Sequence, residues 1–393
     1  MQRRRPAAAP PRAVPATVPA VARTTYATRA RRIIVKVGTG VLSKGDLSLH
    51  RPTMVALARE LSELRGGGRD VVLVSSGAIA SGTARLGLKE RPRSIPEKQA
   101  AAAAGQVALM WHYEQAFAAH GRRVAQILLT GEDISDRTRY LNARNTLLTL
   151  LGYGVLPIIN ENDTVAVEEI KVGDNDNLAA LVAYLVDADL LVLLSDIDGL
   201  YTGDPHRDPT ARRIETVDVI TPEMERLAGA EGPLGTGGMV TKLQAAQKAM
   251  AAGIPMVIAR GRSPGVLGAL VQGEPIGTYF RPRTDRLTAR KRWIAFAIPP
   301  QGTLEVDAGA RRALVQGSKS LLPSGVVKVE GGFSAGDAVG LRDPEGREFA
   351  RGIVNCDARE VDLLRGAKTG DIERLLGYRV LDEVIHRDNL VIL

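Results

Sequence analysis

Hydrophobic residues come along this chain in short, nearly unbroken runs separated by longer stretches in which apolar positions recur every three or four residues. The runs at 33–37, 70–75, 123–129, 155–160, 190–195 and 255–259 are rich in Val, Ile and Leu, the pattern of strands covered on both faces. Between them, residues 54–64, 97–119, 139–151, 177–185 and 239–252 carry helical spacing. Strand and helix alternating this often predict an α/β fold, an αβα sandwich around a mostly parallel sheet. Ligands of such sheets gather at the carboxyl ends of the strands.

The rhythm changes near Trp293. From residue 302 to 393, short alternating runs are separated by glycines, among them Gly325-Val326-Val327-Lys328-Val329-Glu330 and Asp337-Ala338-Val339-Gly340-Leu341-Arg342. A small β-rich second domain is expected there, with its boundary at Pro299-Pro300-Gln301-Gly302. Residues 1–30 are rich in Ala, Pro and Arg, with Pro6, Pro10, Pro11, Pro15 and Pro19 breaking helical runs, so a disordered extension is expected. An acid-free, Arg-rich leader also occurs in organelle transit peptides, but the prolines spoil an amphipathic helix and a signal-peptide apolar core is lacking. The expected organisation is an extension at 1–30, a first domain at 31–290 and a second at 300–393.

Composition narrows the classes. With 45% apolar and 24% charged residues over 393 positions, the chain suits a globular protein of about two domains. The longest unbroken apolar stretches, such as 190–194, fall far short of the ~20 residues of a membrane-spanning helix. Cys356 is the single cysteine, and five scattered histidines beside it offer no structural zinc cluster, which fits a cytoplasmic location. The formal charge of +8 belongs to the leader. Residues 1–32 hold eight of the 52 Lys and Arg and no acid, leaving 44 basic against 44 acidic residues in the body, so the charge is no sign of a nucleic-acid partner.

Chemistry is written at the strand ends. The first strand runs out through Val35-Lys36-Val37-Gly38-Thr39-Gly40, an ammonium beside a turn that a phosphate can approach closely. The second ends in Ser75-Ser76-Gly77-Ala78, which alone reads as a helix cap. Ile159-Asn160-Glu161-Asn162-Asp163 and Gly173-Asp174-Asn175-Asp176-Asn177 gather eight carboxylates and amides, more than capping uses. Such groups suit an amino-acid ligand, whose ammonium needs acceptors and whose carboxylate needs donors. Leu234-Gly235-Thr236-Gly237-Gly238-Met239-Val240-Thr241-Lys242 leads a glycine-rich loop into a helix, a cradle for phosphate with a cation in its first turns. It is not the Gly-x4-Gly-Lys-Ser/Thr loop, and no dinucleotide fingerprint follows the first strand. Two lysines, phosphate-facing amides and no nearby histidine suit phosphoryl transfer to a carboxylate. An acid with pKa near ~4.3 is already an anion at neutral pH and requires no general base. Repulsion between two anions is the obstacle, which lysines, backbone amides and nucleotide-bound Mg²⁺ offset.

These stretches, in this order, resemble the amino acid kinase family, and within it the branch that phosphorylates glutamate. The likeness is carried by the strand-end motifs above, extended through Ile79-Ala80 and Ile170-Lys171-Val172, together with Leu141-Asn142-Ala143-Arg144-Asn145-Thr146 and Ser195-Asp196-Ile197-Asp198-Gly199-Leu200-Tyr201-Thr202. It runs from about residue 32 to the C-terminus. The resemblance implies an αβα sandwich whose N-terminal half holds the amino acid and whose C-terminal half holds ATP. By matching position, Lys36 and Lys242 would flank the transferring phosphoryl group and Asp176 would hold both lysines. Ser76, Asp163 and Asn175 would bind glutamate, with Asp174 close by. Lys36, Ser195, Asp196, Thr236, Gly237, Gly238, Met239, Val240, Thr241 and Lys242 would contact ATP. Ser195 stands where many relatives have threonine and keeps the hydroxyl.

The implied reaction is ATP-dependent phosphorylation of the γ-carboxylate of L-glutamate to γ-glutamyl phosphate, the first step of proline synthesis from glutamate. Mg²⁺ would be nucleotide-bound, with no resident metal site. The resemblance further implies feedback inhibition by proline, a homo-oligomer (dimer or tetramer), and functional coupling to γ-glutamyl phosphate reductase. Kinases of the same fold acting on aspartate, N-acetylglutamate or UMP are the alternatives. An RNA-binding protein with a degenerate kinase body is another, against which intact Lys36, Asp176 and Lys242 speak. The C-terminal segment resembles a PUA domain, a β-rich module otherwise met in RNA-modifying enzymes. Residues 301–393 hold 13 Lys and Arg against 15 Asp and Glu, a poor footprint for an RNA backbone, so a regulatory or structural role is expected.

Overall fold

Branched apolar side chains at successive positions favour extended backbone once both faces are covered, and the apolar runs become strands on that account. The computed structural model describes residues 20–43, 48–165, 175–205, 208–228, 238–282, 291, 294, 298–317, 319–377 and 382–393. In the first domain the strands are β1 (Arg32–Val37), β2 (Asp70–Ser75), β3 (Val124–Leu129), β4 (Leu156–Glu161), β5 (Leu190–Ser195), β6 (Thr216–Val217), β7 (Met256–Arg260) and β8 (Thr278–Phe280). They form one sheet in the order β3-β4-β2-β1-β5-β7-β8-β6. The six strands from β3 to β7 in that order pair in parallel, whereas β8 runs antiparallel to β7 and pairs in parallel with β6.

Alternate residues of the central strands feed two cores. Ile34, Val72, Val74, Leu191 and Leu193 pack with helices Asn175–Leu185 and Met239–Ala251 on one face. Val35, Leu73 and Val192 pack with helices Arg51–Gly66 and Ile95–Ala118 on the other. The chain leaves β1 for β2 on one side and later fills β5 on its other side, so β1 lies at the point where strand order reverses. That reversal opens a crevice at the carboxyl ends of β1, β2 and β5.

Helix Ile95–Ala118 starts with a capping box between Ser94 and Glu97, and Asp136 caps helix Arg137–Gly152 through the Arg139 N–H. A helix absent from the sequence expectation, Ala78–Arg85, lies backbone against backbone on Ile95–Ala118. A Cβ on Gly82 would sit 1.6 Å from the Ala101 carbonyl oxygen, and one on Gly105 would sit 1.9 Å from that of Ala78. Disorder was expected throughout residues 1–30, but Ala20–Arg29 is helical. No proline falls in that stretch, Ala27 and Ala30 are buried, and the Tyr26 ring stacks on Tyr279 with centroids 6.2 Å apart. Residues 1–19 lie outside the described residues.

The second domain is a five-stranded sheet in the order β10-β9-β11-β12-β13, from β9 (Gly302–Val306), β10 (Val326–Gly331), β11 (Ala338–Arg342), β12 (Glu348–Ile353) and β13 (Leu390–Ile392). Helices Ala308–Gly317, Ala358–Leu364 and Ile372–Leu376 accompany it, which the strand-rich reading did not contain. Leu304, Val339, Leu341 and Ile385 form its own core, while Val391 of β13 belongs to a core cluster of the first domain.

One buried carboxylate ties two helices of the first domain. Glu60, in Arg51–Gly66, accepts from the N–H groups of Gly265 (2.8 Å) and Leu267 (2.9 Å) at the start of helix Val266–Gln272. Glu60→Ala leaves both donors without this acceptor and is expected to lower the free energy of unfolding by about 2–3 kcal/mol in urea titrations. An unchanged midpoint and slope would contradict this role.

Candidate active site

β1 is enclosed between β2 and β5, with Lys36 opposite Val74 and Leu193, so its ammonium emerges from an apolar wall. Lys36 is only 4% exposed, and a cation so placed needs a paired anion. That anion is Asp176, the second residue of helix Asn175–Leu185, itself fully buried. Lys36 Nζ lies 2.5 Å from Asp176 Oδ1, and Lys242 Nζ, from the first turn of Met239–Ala251, lies 3.0 Å from Oδ2. The Thr241 hydroxyl is within reach of Asp176 Oδ2 (3.2 Å) and of the Gly238 carbonyl (2.8 Å). Burial by itself would raise the Asp176 pKa, but the charges and hydrogen bonds of the two lysines outweigh it and hold the carboxyl at about 2. Its place in the first turn of a helix favours the same anion.

The elements that carry this trio are braced. Asn177 donates to Gln244 Oε1 (3.2 Å) and accepts from Lys248 Nζ (2.7 Å), joining the two helices one turn from the ion pairs. At the far end of Asn175–Leu185, Arg144 donates to the Leu185 carbonyl and pairs with Asp187 at 2.5 Å. The stretch 141–146 thus contributes a structural brace in Arg144.

The ends of β2 and β4 meet on one side of the trio. Asn175 Nδ2 donates to Ser76 Oγ (3.0 Å) and Asn160 Oδ1 (3.0 Å), and Asn160 Nδ2 donates to Gln106 Oε1 (2.9 Å). Nearby, the Ser75 and Tyr113 hydroxyls are 2.7 Å apart. Asn175 Oδ1 is buried and has no partner among the described residues. Asp163 follows the end of β4, half-buried, and burial lifts its carboxyl to about 6. Ser76 and Asn175 are therefore in direct contact, and Asp163 stands on the neighbouring strand end, though no hydrogen bond joins it to them. Asp174 lies outside the described residues.

The end of β5 and the turn after β1 form the other side. Ser195 donates to Asp196 Oδ1 at 2.9 Å. A Cβ on Gly40 would lie 3.2 Å from Asp196 Oδ2, and one on Gly38 would lie 3.5 Å from Lys36 Nζ. The approach is tight at Gly40, where bare backbone passes beside Asp196, and is ordinary contact at Gly38. Arg262, just past β7, fastens this turn by donating to the carbonyls of Gly40 (2.9 Å), Val41 (3.3 Å) and Ser43. Gly238 caps helix Met239–Ala251, and its first residues Met239 and Val240 lead to Thr241 and Lys242; Thr236 and Gly237 lie outside the described residues.

Gln106 and Arg262 carry no motif in the sequence. Gln106 is a polar position in an Ala-rich helix, seven residues from Tyr113, and Arg262 is an ordinary post-strand arginine. Chemically, one side of the crevice offers amides, a hydroxyl and a carboxylate; the other offers bare glycine backbone and a helix start. Between them two ammonium groups share one carboxylate. Among the described residues no three His, Cys, Asp or Glu side chains assemble into a metal site.

A family model described as the amino acid kinase family matches residues 31–260, and a PUA domain model matches residues 302–376. The chain is 53% identical over 366 residues to a glutamate 5-kinase of Geobacter sulfurreducens, covering 93% of this chain and 98% of that one. It is 55% identical over 365 residues to a glutamate 5-kinase of Myxococcus xanthus, covering 93% and 97%. A solved UMP kinase from Bacillus anthracis is 16% identical with a TM-score of 0.44, covering 64% of this chain and 96% of that chain. With its family model spanning more than half of the chain and the two glutamate 5-kinases matched along nearly their full length, the chain belongs to the amino acid kinase family.

Proposed function

We propose that this protein transfers the γ-phosphoryl group of ATP to the γ-carboxylate of L-glutamate, forming γ-glutamyl phosphate, the step that opens proline synthesis from glutamate. The observation that carries the reading is the pair of buried ammonium groups, Lys36 and Lys242, held on opposite oxygens of Asp176 where strand order reverses. The trio has one net positive charge and suits a site for anions. High identity to glutamate 5-kinases over almost the whole chain supports glutamate above other acids.

In this mechanism the γ-carboxylate attacks the γ-phosphorus in line. A carboxylate oxygen–phosphorus bond forms while the bond to the β,γ-bridging oxygen breaks, and ADP leaves with that electron pair. The nucleophile is ionised at neutral pH, so no base is required. Lys36, Lys242 and the start of helix Met239–Ala251 offset the repulsion of the approaching anions and the charge spread over the transferring group. Asp176 sets the distance between the lysines. Ser76, Asp163 and Asn175, with Asp174, hold glutamate, and Asp163 pairs with its ammonium. Ser195, Asp196 and residues 236–242 hold the nucleotide. Magnesium, needed to screen the phosphates, would ride on ATP, since hard cations of this kind are commonly bound through nucleotide phosphates. The same resemblance supports proline as an inhibitor at or overlapping the glutamate site, a dimer or tetramer, and a regulatory or structural second domain.

Lys36→Ala and Lys242→Ala are each expected to lower kcat with glutamate and ATP by about 10²–10³-fold or more, with circular dichroism unchanged. Near-normal turnover in either folded variant removes that lysine from the mechanism. Asp163 supplies a pH test. Its pKa of about 6 leaves it ionised at neutral pH, and it takes up a proton as pH falls through that value. The partner of the substrate ammonium is then lost, so KM for glutamate should climb by up to about tenfold per pH unit below the pKa, while KM for ATP does not follow. Asp163→Asn should raise KM for glutamate at neutral pH and flatten the profile. A wild-type KM that stays level down to about pH 5, where glutamate keeps its own charges, contradicts the assignment.

A further inference from the structure

Helix Ile95–Ala118 belongs to no strand end, yet two of its side chains touch the substrate side of the crevice. Tyr113 meets Ser75 at the end of β2, and Gln106, two turns earlier on the same face, meets Asn160 at the end of β4. Its placement is set by close backbone packing: the neighbouring Gly105 lies so near the Ala78 carbonyl that no side chain fits.

The hydrogen bonds run in one direction. Gln106 Oε1 accepts from Asn160 Nδ2, which turns Asn160 Oδ1 to the other side, where it accepts from the Glu161 N–H (2.9 Å) and from Asn175 Nδ2 (3.0 Å). Asn175 Nδ2 also reaches Ser76 Oγ, so its amide nitrogen is fully used. Asn175 Oδ1 is left buried with no partner among the described residues. A reversed Asn160 would set its NH₂ against both the Glu161 N–H and the Asn175 NH₂, donor against donor, and an unmet buried acceptor is costly. The Glu161 backbone N–H therefore sets the sense of Asn160, and Gln106 Oε1 holds that amide in place by accepting from the NH₂ group turned toward it.

We propose that Gln106 is a positioning residue: through Asn160 it fixes the Asn175 amide with its oxygen left to accept a hydrogen bond from the α-ammonium of the amino-acid substrate. This rests on the reading that the pocket takes glutamate. Gln106 touches no reacting atom, so its loss acts on recognition rather than on phosphoryl transfer.

The test compares wild type, Gln106→Met, Gln106→Leu and Gln106→Glu in the full-length chain, with glutamate and with glutarate, which lacks the ammonium. Methionine and leucine remove the acceptor at similar volume; glutamate as a side chain keeps it. In Gln106→Met and Gln106→Leu, KM for glutamate should rise about tenfold or more, the effect of a hydrogen bond to a charged group. In the same variants kcat and KM for ATP should stay within about twofold, and preference for glutamate over glutarate in kcat/KM should fall by about tenfold. Gln106→Glu should hold KM for glutamate within about threefold of wild type. The proposal is overturned if KM for glutamate is unmoved in the apolar variants, if glutarate suffers equally, or if Gln106→Glu fails alongside them. Wild type that phosphorylates no glutamate overturns the functional reading instead; the relay is then scored on the amino acid it does accept and that acid's des-amino analogue.

Discussion

Two buried ammonium groups share one fully buried carboxylate, and most of the first domain is arranged so that they can. A lysine at the end of a central strand has apolar neighbours on both sides and cannot remain charged there without an anion within reach. Asp176 meets Lys36 because the helix that begins at Asn175 starts beside the end of β1, and it meets Lys242 because a second helix starts alongside the first. The supports lie farther out: Asn177 with Gln244 and Lys248 between the helices, Arg144 at the far end of one of them, and Arg262 on the glycine turn after β1. Asn177 links side chain to side chain, whereas Arg144 and Arg262 donate to backbone carbonyls, and each limits how far a charged atom of the trio can drift.

Much of this was legible because the chemistry sits at strand ends. The six strands from β3 to β7 in sheet order were visible as apolar runs, whereas the short β6 and β8 were not, and the polar residues at or just past the ends of such runs, Lys36, Ser76, Asp163 and Ser195, read as a row at one edge of a sheet. Asn175, Asp176 and Lys242 were legible as helix starts after polar or glycine-rich loops. Their convergence on a single carboxylate was not, since Lys36 and Asp176 are brought together only by packing of the sheet against its helices.

The features that escaped share a physical reason. Gln106 reaches Asn160 from 54 positions away, and Arg262 reaches Gly40 from 222 away, so no local spacing marks either. Helix Ala78–Arg85 carries glycine and serine where helices prefer other residues, and it persists because close backbone packing on Ile95–Ala118 replaces intrinsic propensity. Ala20–Arg29 looked like the tail of a proline-rich leader until Tyr26 found Tyr279 to stack against. The second domain was legible as strand-rich, but the attachment of Val391 to the core of the first domain joins residues far apart in the chain, and no local pattern marks it.

The central claim is that the lysine pair on Asp176 serves phosphoryl transfer to the side-chain carboxylate of glutamate. Its most direct test is to trap the acyl phosphate with hydroxylamine, using purified protein, ATP and Mg²⁺ with L-glutamate, aspartate or N-acetylglutamate in parallel. The account predicts γ-glutamyl hydroxamate from glutamate and no product from the other two acids. Hydroxamate from another acid and none from glutamate, or none from any acid with folded protein, would contradict it.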